Sequence, residues 1–193
     1  MPRGVSRLDE ARHQRRLWTP AMLAGGLRAW ADFGDIPLLG LTGGEARAVR
    51  DKGRMGTWAY VTSGPTYSAF ALNNRPAVSF GVAPSLVSDT ATDCTPPLVA
   101  TVIVSLSEAT QGYGRVLGIA ATDVDDYGST SACALILRNV WNHQITIYYN
   151  GAARATAAYT FDTPHIISVE ISAAGAVTIY IDGVSAATGS GIT

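Results

Sequence analysis

The side chains of this 193-residue sequence that could do chemistry fall into a few sets, and their spacing limits what each set could do. The densest carboxylates are Asp123-Val124-Asp125-Asp126, in a stretch of Gly, Ser and Thr that also carries Tyr127 and Gly128. Oxygens presented two residues apart suit a hard cation, which makes Asp123, Asp125 and Asp126 a candidate calcium site. The alternative is a solvated turn, and the missing EF-hand pattern favours it, so no metal or other cofactor is expected and calcium is the one ion left open. The glutamates are Glu10, Glu45, Glu108 and Glu170, none with a second acidic residue two positions away on a recognisable strand. Hydrolysis of a glycosidic bond needs two carboxylates facing one groove, so the sequence predicts no enzyme of that kind. A GxSxG elbow, an HExxH pair and a phosphate-cradling glycine loop are also missing. His13, His143 and His165 are far apart, and His165, beside Pro164, is expected to cap the start of a strand.

Aromatic side chains offer a different chemistry, because sugar rings stack on flat apolar faces while their hydroxyls need fixed polar partners. Trp58, Tyr60, Tyr113, Tyr127, Trp141 and Tyr148 are the candidates, and they read equally well as scattered core and surface aromatics. Tyr148 and Tyr149 are adjacent, so one of them must face the wet side of its strand. Arg3, Arg7, Arg12, Arg15 and Arg16 crowd the first residues with Trp18 close behind. They form either a solvated tail or an arm that docks on an acidic partner, and Trp18 favours docking because a large ring anchors an interface well.

These groups need a scaffold, and the composition points to strands. Hydrophobic residues make up 47% and charged residues 15%, with 20 Gly and 9 Pro, which suits short strands joined by many turns and excludes disorder. The net charge of −1 leaves no basic field for nucleic acid, and no apolar run is long enough to cross a membrane or to serve as a signal peptide. Cys94 and Cys133 form neither a metal-type spacing nor a dense bridge framework, and a disulfide between them stays open.

Residues 1–26 read as an extended or short-helical arm, with Ser6 to Leu17 the helical candidate and Pro20 its stop. From residue 27 onward, short alternating runs are separated by turn residues. Ile167, Val169 and Ile171 alternate with Ser168 and Glu170, and Val177 to Ile181 repeats the pattern after a turn at Ser172 to Ala176, which predicts a hairpin. Glu170 falls on its wet side as a solvated residue. Asn150-Gly151, after a strand at Ile145 to Tyr149, and Asp182-Gly183 predict tight turns. Further strands are expected at Leu27 to Asp32, Ala77 to Phe80, Val99 to Leu106, Arg115 to Ala120, Ala132 to Val140 and Arg154 to Phe161. Glu45 to Asp51 could make one helical turn. Trp30 reads as core, Asn73-Asn74 as a turn, Pro76 as a strand start, and Arg75 as the partner of Asp32 or Asp51.

Two stretches resemble known proteins. Leu27-Arg28-Ala29-Trp30-Ala31-Asp32, then Arg50-Asp51-Lys52-Gly53, then Pro65-Thr66-Tyr67, then Leu72-Asn73-Asn74-Arg75-Pro76-Ala77-Val78-Ser79-Phe80 resembles, in that order, the opening of many phage structural proteins. Ile167 to Gly183 is similar to the laminin-G-like hairpin of concanavalin A-like lectin and glucanase folds. Together they imply an all-β fold: a two-sheet antiparallel jelly-roll sandwich over residues 27–193, behind the arm. They also imply a non-enzymatic structural protein on the surface of a bacteriophage or phage-like particle, such as a gene transfer agent, made in the bacterial cytoplasm. A capsid spike, head fibre or tail fibre component fits, with the arm on capsid or tail proteins and the chain self-associated as a homo-oligomer. A carbohydrate-binding module for host surface polysaccharide is the alternative, and a glycoside hydrolase a weaker one. The resemblance further implies a closing strand after Asp182-Gly183 that returns beside the first strand. Val184 to Thr193 could form it, a neighbouring subunit could supply it, or the natural chain could continue.

Overall fold

The computed structural model describes residues 31, 39–52, 57–60, 64–72, 74–80, 86–88, 95–108, 113–120, 132–139 and 141–192. Among the described residues every regular element is a strand, and none is a helix long and apolar enough to cross a membrane. The chain divides into two compact units, residues 1–69 with 76–92 and residues 70–75 with 93–193. The arm, with its Ser6 to Leu17 helix, and Trp30 lie outside the described residues, as does all of the expected Leu27 to Asp32 strand but Ala31.

Strands β1 (Leu39–Thr42), β2 (Glu45–Arg50), β3 (Thr57–Tyr60), β4 (Thr66–Leu72), β5 (Arg75–Ser79) and β6 (Leu86–Ser88) form one sheet in the order β5-β4-β2-β3-β6, with β1 paired to β2. Glu45 to Asp51 is therefore not a helical turn, and the reason is visible in the register. Gly40 pairs with Ala48 and Leu41 with Ala46, so Arg47 is an extra residue opposite that step. This bulge resets the alternation and lets Ala46 and Val49, three apart, both be fully buried. A helix would have produced the same spacing. The β1–β2 turn runs through Gly43 and Gly44, both at positive φ. The β4–β5 turn uses Asn74 at φ 59°, and Pro76 is the second residue of β5, after an exposed Arg75. Of that arginine's two expected carboxylate partners, Asp32 lies outside the described residues.

The second unit contains two four-stranded sheets. Strands β8 (Tyr113–Ala120), β9 (Ala132–Asn139), β10 (Gln144–Tyr149) and β11 (Ala152–Ala158) are joined in the order β11-β10-β9-β8. Strands β7 (Leu98–Ser105), β12 (Pro164–Ile171), β13 (Val177–Ile181) and β14 (Val184–Gly189) are joined in the order β14-β13-β12-β7. All pairings are antiparallel. One core joins the sheets: Ile145, Ile147, Ala155 and Ala157 from the first pack with Ile167, Val169, Ile171, Val177 and Ile179 from the second. These are the inward members of the alternating runs, and each buried Ile or Val contributes roughly 1.5–3 kcal/mol of transfer free energy. The unit is a β-sandwich.

Its turns follow from residues that tolerate positive φ. Asn150 and Gly151 stand at φ 48° and 70°, and Asp182 and Gly183 at 53° and 81°, as a two-residue hairpin turn matching strand twist requires. Val184 to Gly189 does form a strand, but it pairs with β13 and is the outer strand of that sheet. Gly189 lies so near β11 that a Cβ there would sit 1.7 Å from the Arg154 carbonyl oxygen. After β14 the Gly191 and Ile192 amides donate to the Gly175 carbonyl at 3.0 and 3.3 Å, and Ile192 is buried in the core. The expected strand from Arg154 to Phe161 stops at Ala158, because Tyr159 and Phe161 turn inward under the crossover to β12.

Candidate functional site

At one end of the sandwich, β7 and β11 finish, β10 and β12 begin, and β13 turns into β14. Backbone hydrogen bonds tie these segments: Tyr159 N–H donates to His143 O and Asp162 N–H to Leu106 O, both at 2.8 Å. The result gathers Glu108, Trp141, His143, Tyr159, Phe161, Asp162, His165 and Asp182, which lie up to 74 positions apart in sequence, from Glu108 to Asp182.

Asp182 is the best-fixed of these. Its Oδ1 accepts the Ile166 amide at 2.9 Å and its Oδ2 meets His165 Nδ1 at 2.6 Å. The amide, and after it the imidazole, hold the Asp182 carboxyl below the usual carboxylate range. His165 is thus not a strand cap: Asp182 caps the amide of Ile166, and His165 is the second residue of β12, mostly buried. Its Nε2 is buried with no hydrogen-bond partner among the described residues, so the pair ties β12 to the β13–β14 turn rather than reaching toward solvent.

From His165 a row of rings crosses the end of the sandwich. Tyr159 meets His165 edge-on at 5.0 Å, Phe161 meets Tyr159 at 5.2 Å, and His143 meets Phe161 at 5.8 Å. Such T-shaped contacts add to the burial of Tyr159 and Phe161. Burial pushes the Tyr159 hydroxyl up to about 12; the Leu106 amide eases the shift, and the Asp182 charge adds to it. Among the described residues the Tyr159 hydroxyl, which is buried, has no partner in hydrogen-bond geometry. At the far end of the row, His143 Nε2 stands 3.3 Å from Glu108 Oε1, both half-exposed, and the Glu108 amide donates to Asp162 Oδ1 at 3.3 Å.

The solvent side of this end presents Trp141, 61% exposed, in the same turn as Asn142 and His143 and on the same loop end as Glu108. A broad apolar ring beside hydrogen-bonding groups can take a sugar. Tyr148 does not join it. It lies toward the other end of β10, four residues and roughly 13 Å from the strand's start at about 3.3 Å per residue, and its hydroxyl donates to Gly151 O at 2.8 Å. Of the adjacent tyrosines, Tyr149 packs on the core and Tyr148 faces outward. Trp58 and Tyr60 lie on β3 and Tyr113 begins β8, with their side chains outside the described set. Tyr127, the calcium candidates Asp123, Asp125 and Asp126, and the arm residues Arg3, Arg7, Arg12, Arg15, Arg16 and Trp18 also lie outside the described residues. Glu170 is exposed, as expected, and accepts the Tyr180 hydroxyl at 3.3 Å. Among the described residues, no three His, Cys, Asp or Glu side chains group to hold a metal ion.

The His165–Asp182 pair escaped the sequence reading, although a signal for it existed. Once Ile171 and Val177 are paired across the β12–β13 turn, counting back along the hairpin sets Asp182 opposite Ile166, next to His165. The His143–Glu108 contact has no such signal, because it joins loops of different sheets. In comparisons with known proteins, the chain matches no family model, no curated protein and no solved structure.

Proposed function

We propose that this chain is a non-enzymatic structural protein of a bacteriophage or phage-like particle, a capsid spike, head fibre or tail fibre component displayed on the particle surface. In this reading residues 1–26 anchor the chain to capsid or tail proteins, and a concanavalin A-like jelly roll projects outward as a homo-oligomer. The observation that carries it is the β-sandwich of the second unit, whose two sheets meet in an Ile- and Val-rich core. The ordered motif series from Leu27 to Phe80 supports the particle setting. Fold alone does not assign function, so the test is incorporation. Deleting residues 1–20 should leave a folded domain that no longer joins particles, and unchanged incorporation would refute the anchoring role.

The exposed Trp141 favours a second reading compatible with the first, in which the loop end binds host surface polysaccharide. A bacterial glycan array should return hits that Trp141→Ala abolishes. Silence across the array would leave a purely architectural role, and release of reducing sugar from the same polysaccharides would revive the hydrolase.

A further inference from the structure

The two sheets of the sandwich have four edges, β11 and β8 in one and β14 and β7 in the other. An open edge offers unpaired backbone groups to another chain, and proteins blunt it with bulges, charges or cover. Three of the four are blunted. β14 and β11 approach each other at Gly189 and Arg154. β8 carries Arg115, and its pairing with β9 slips twice. β7 differs: its sequence LVATVIVS has no charge, and it runs through eight consecutive pairs with β12 without a shift. Its outward side chains include Val99 and Ile103, 66% and 68% exposed, and Ile103 pairs directly with Ile166, itself 46% exposed. Among the described residues this is a regular, uncharged edge beside an uncovered apolar strip.

We propose that β7 is a homodimer edge, pairing antiparallel with β7 of a second copy about a two-fold axis through Thr101. The sequence of the strand selects this occupant because it is complementary to itself. With Thr101 opposite Thr101 of the second copy, Val99 meets Ile103 and Ile103 meets Val99 on the outer face. On the inner face Leu98 meets Val104 and Ala100 meets Val102. Hydroxyl faces hydroxyl and aliphatic faces aliphatic at each of these positions, as a two-fold interface requires. Like charges are kept apart as well: Glu170 is level with Val99 on β12, so the two copies' carboxylates fall at opposite ends of the joint. The product is one eight-stranded sheet with the Val99, Ile103 and Ile166 strips of both copies on one face.

The proposal rests on the self-association part of the reading above, and sedimentation of the full chain tests both. Wild type should sediment as a dimer or a multiple of it. Thr101→Lys, which sets two ammonium groups opposite each other on a solvent-facing position, should halve that mass while the circular dichroism spectrum keeps its strand signature. Thr101→Cys should cross-link oxidatively into dimers above the wild-type background from Cys94 and Cys133, while Ser105→Cys, placed far from its own copy in this register, should not. A monomeric wild type would overturn both the edge and the oligomer. An oligomer untouched by Thr101→Lys, or one in which Ser105→Cys cross-links as well as Thr101→Cys, would overturn the edge alone.

Discussion

Replacing Gly189 with Ala tests the closure of the sandwich most directly. The added Cβ would lie 1.7 Å from the Arg154 carbonyl oxygen and 2.7 Å from its carbon, and both atoms are backbone, so no rotamer change relieves the overlap. The strand must move away from β11 or distort, and overpacking of this kind costs about 1–3 kcal/mol. For a chain of this length each kcal/mol lowers the melting temperature by about 2–4 °C, which places the expected loss between about 2 and 12 °C. Two other glycines separate sterics from conformation. Gly183 has open space around its missing Cβ but stands at φ +81°, so Gly183→Ala should cost only the left-handed strain of about 1 kcal/mol. Gly175 combines φ +75° with a Cβ position 2.2 Å from the Ile192 carbonyl oxygen and should be the worst of the three. Urea melts of the three variants would measure the series. If Gly189→Ala stays within about 0.5 kcal/mol of wild type, the size of an ordinary surface change, β14 does not approach β11 as described.

Other outcomes follow from the core and the loop end. Ile179→Ala removes a fully buried side chain between the sheets and should cost about 2–5 kcal/mol in the same melts. Tyr159 is raised in the folded state from 10.0 to about 12, so its contribution is complete below pH 10 and is lost as pH rises toward 12. Wild type should lose up to about 2 kcal/mol across that window after allowance for solvent screening, a loss that Tyr159→Phe removes while gaining stability at neutral pH from the deleted orphan hydroxyl. Asp182 is shifted the other way: its contribution is present above pH 3.8 and fades as pH falls through its lower folded value. The stability difference between wild type and Asp182→Asn should therefore shrink in that acid range. Calcium at millimolar concentration should raise the melting temperature only if Asp123, Asp125 and Asp126 bind it, and no shift leaves them a solvated turn.

The hairpin of β12 and β13 was legible because its alternation has one solution: Ile167, Val169 and Ile171 must share a face, and a one-residue slip would expose all three. Asn150-Gly151 and Asp182-Gly183 were legible for the same local reason, since few residue pairs accept two positive φ values in succession. The failures were also physical. In β2 the bulge at Arg47 moved Val49 into phase with Ala46 and disguised a strand as a helical turn. β1, β3 and β6 are three or four residues long, and a period of two cannot be established over so short a run. Tyr159 and Phe161 continued the alternation of β11 in sequence while leaving its ladder in space, because their rings fill the end of the core.

Among the described residues the two ends of the sandwich are built differently. Among the described residues at the end holding the β12–β13 turn, Gly191 and Ile192 close over Gly175 with backbone hydrogen bonds and a buried aliphatic side chain. At the opposite end the inner members of the cluster, His165 and Tyr159, are buried, while Trp141, His143 and Glu108 stay open to solvent. The inner pair fixes the β13–β14 turn, to which Trp141 and Glu108 do not belong, so these two side chains can change without loss of the scaffold. Trp141→Ala together with Glu108→Gln should therefore leave the melting temperature within about 2 °C of wild type, the effect of a surface change on a chain of this size. A larger fall would mean that the outer residues hold the fold together, and the loop end would lose its standing as a recognition surface.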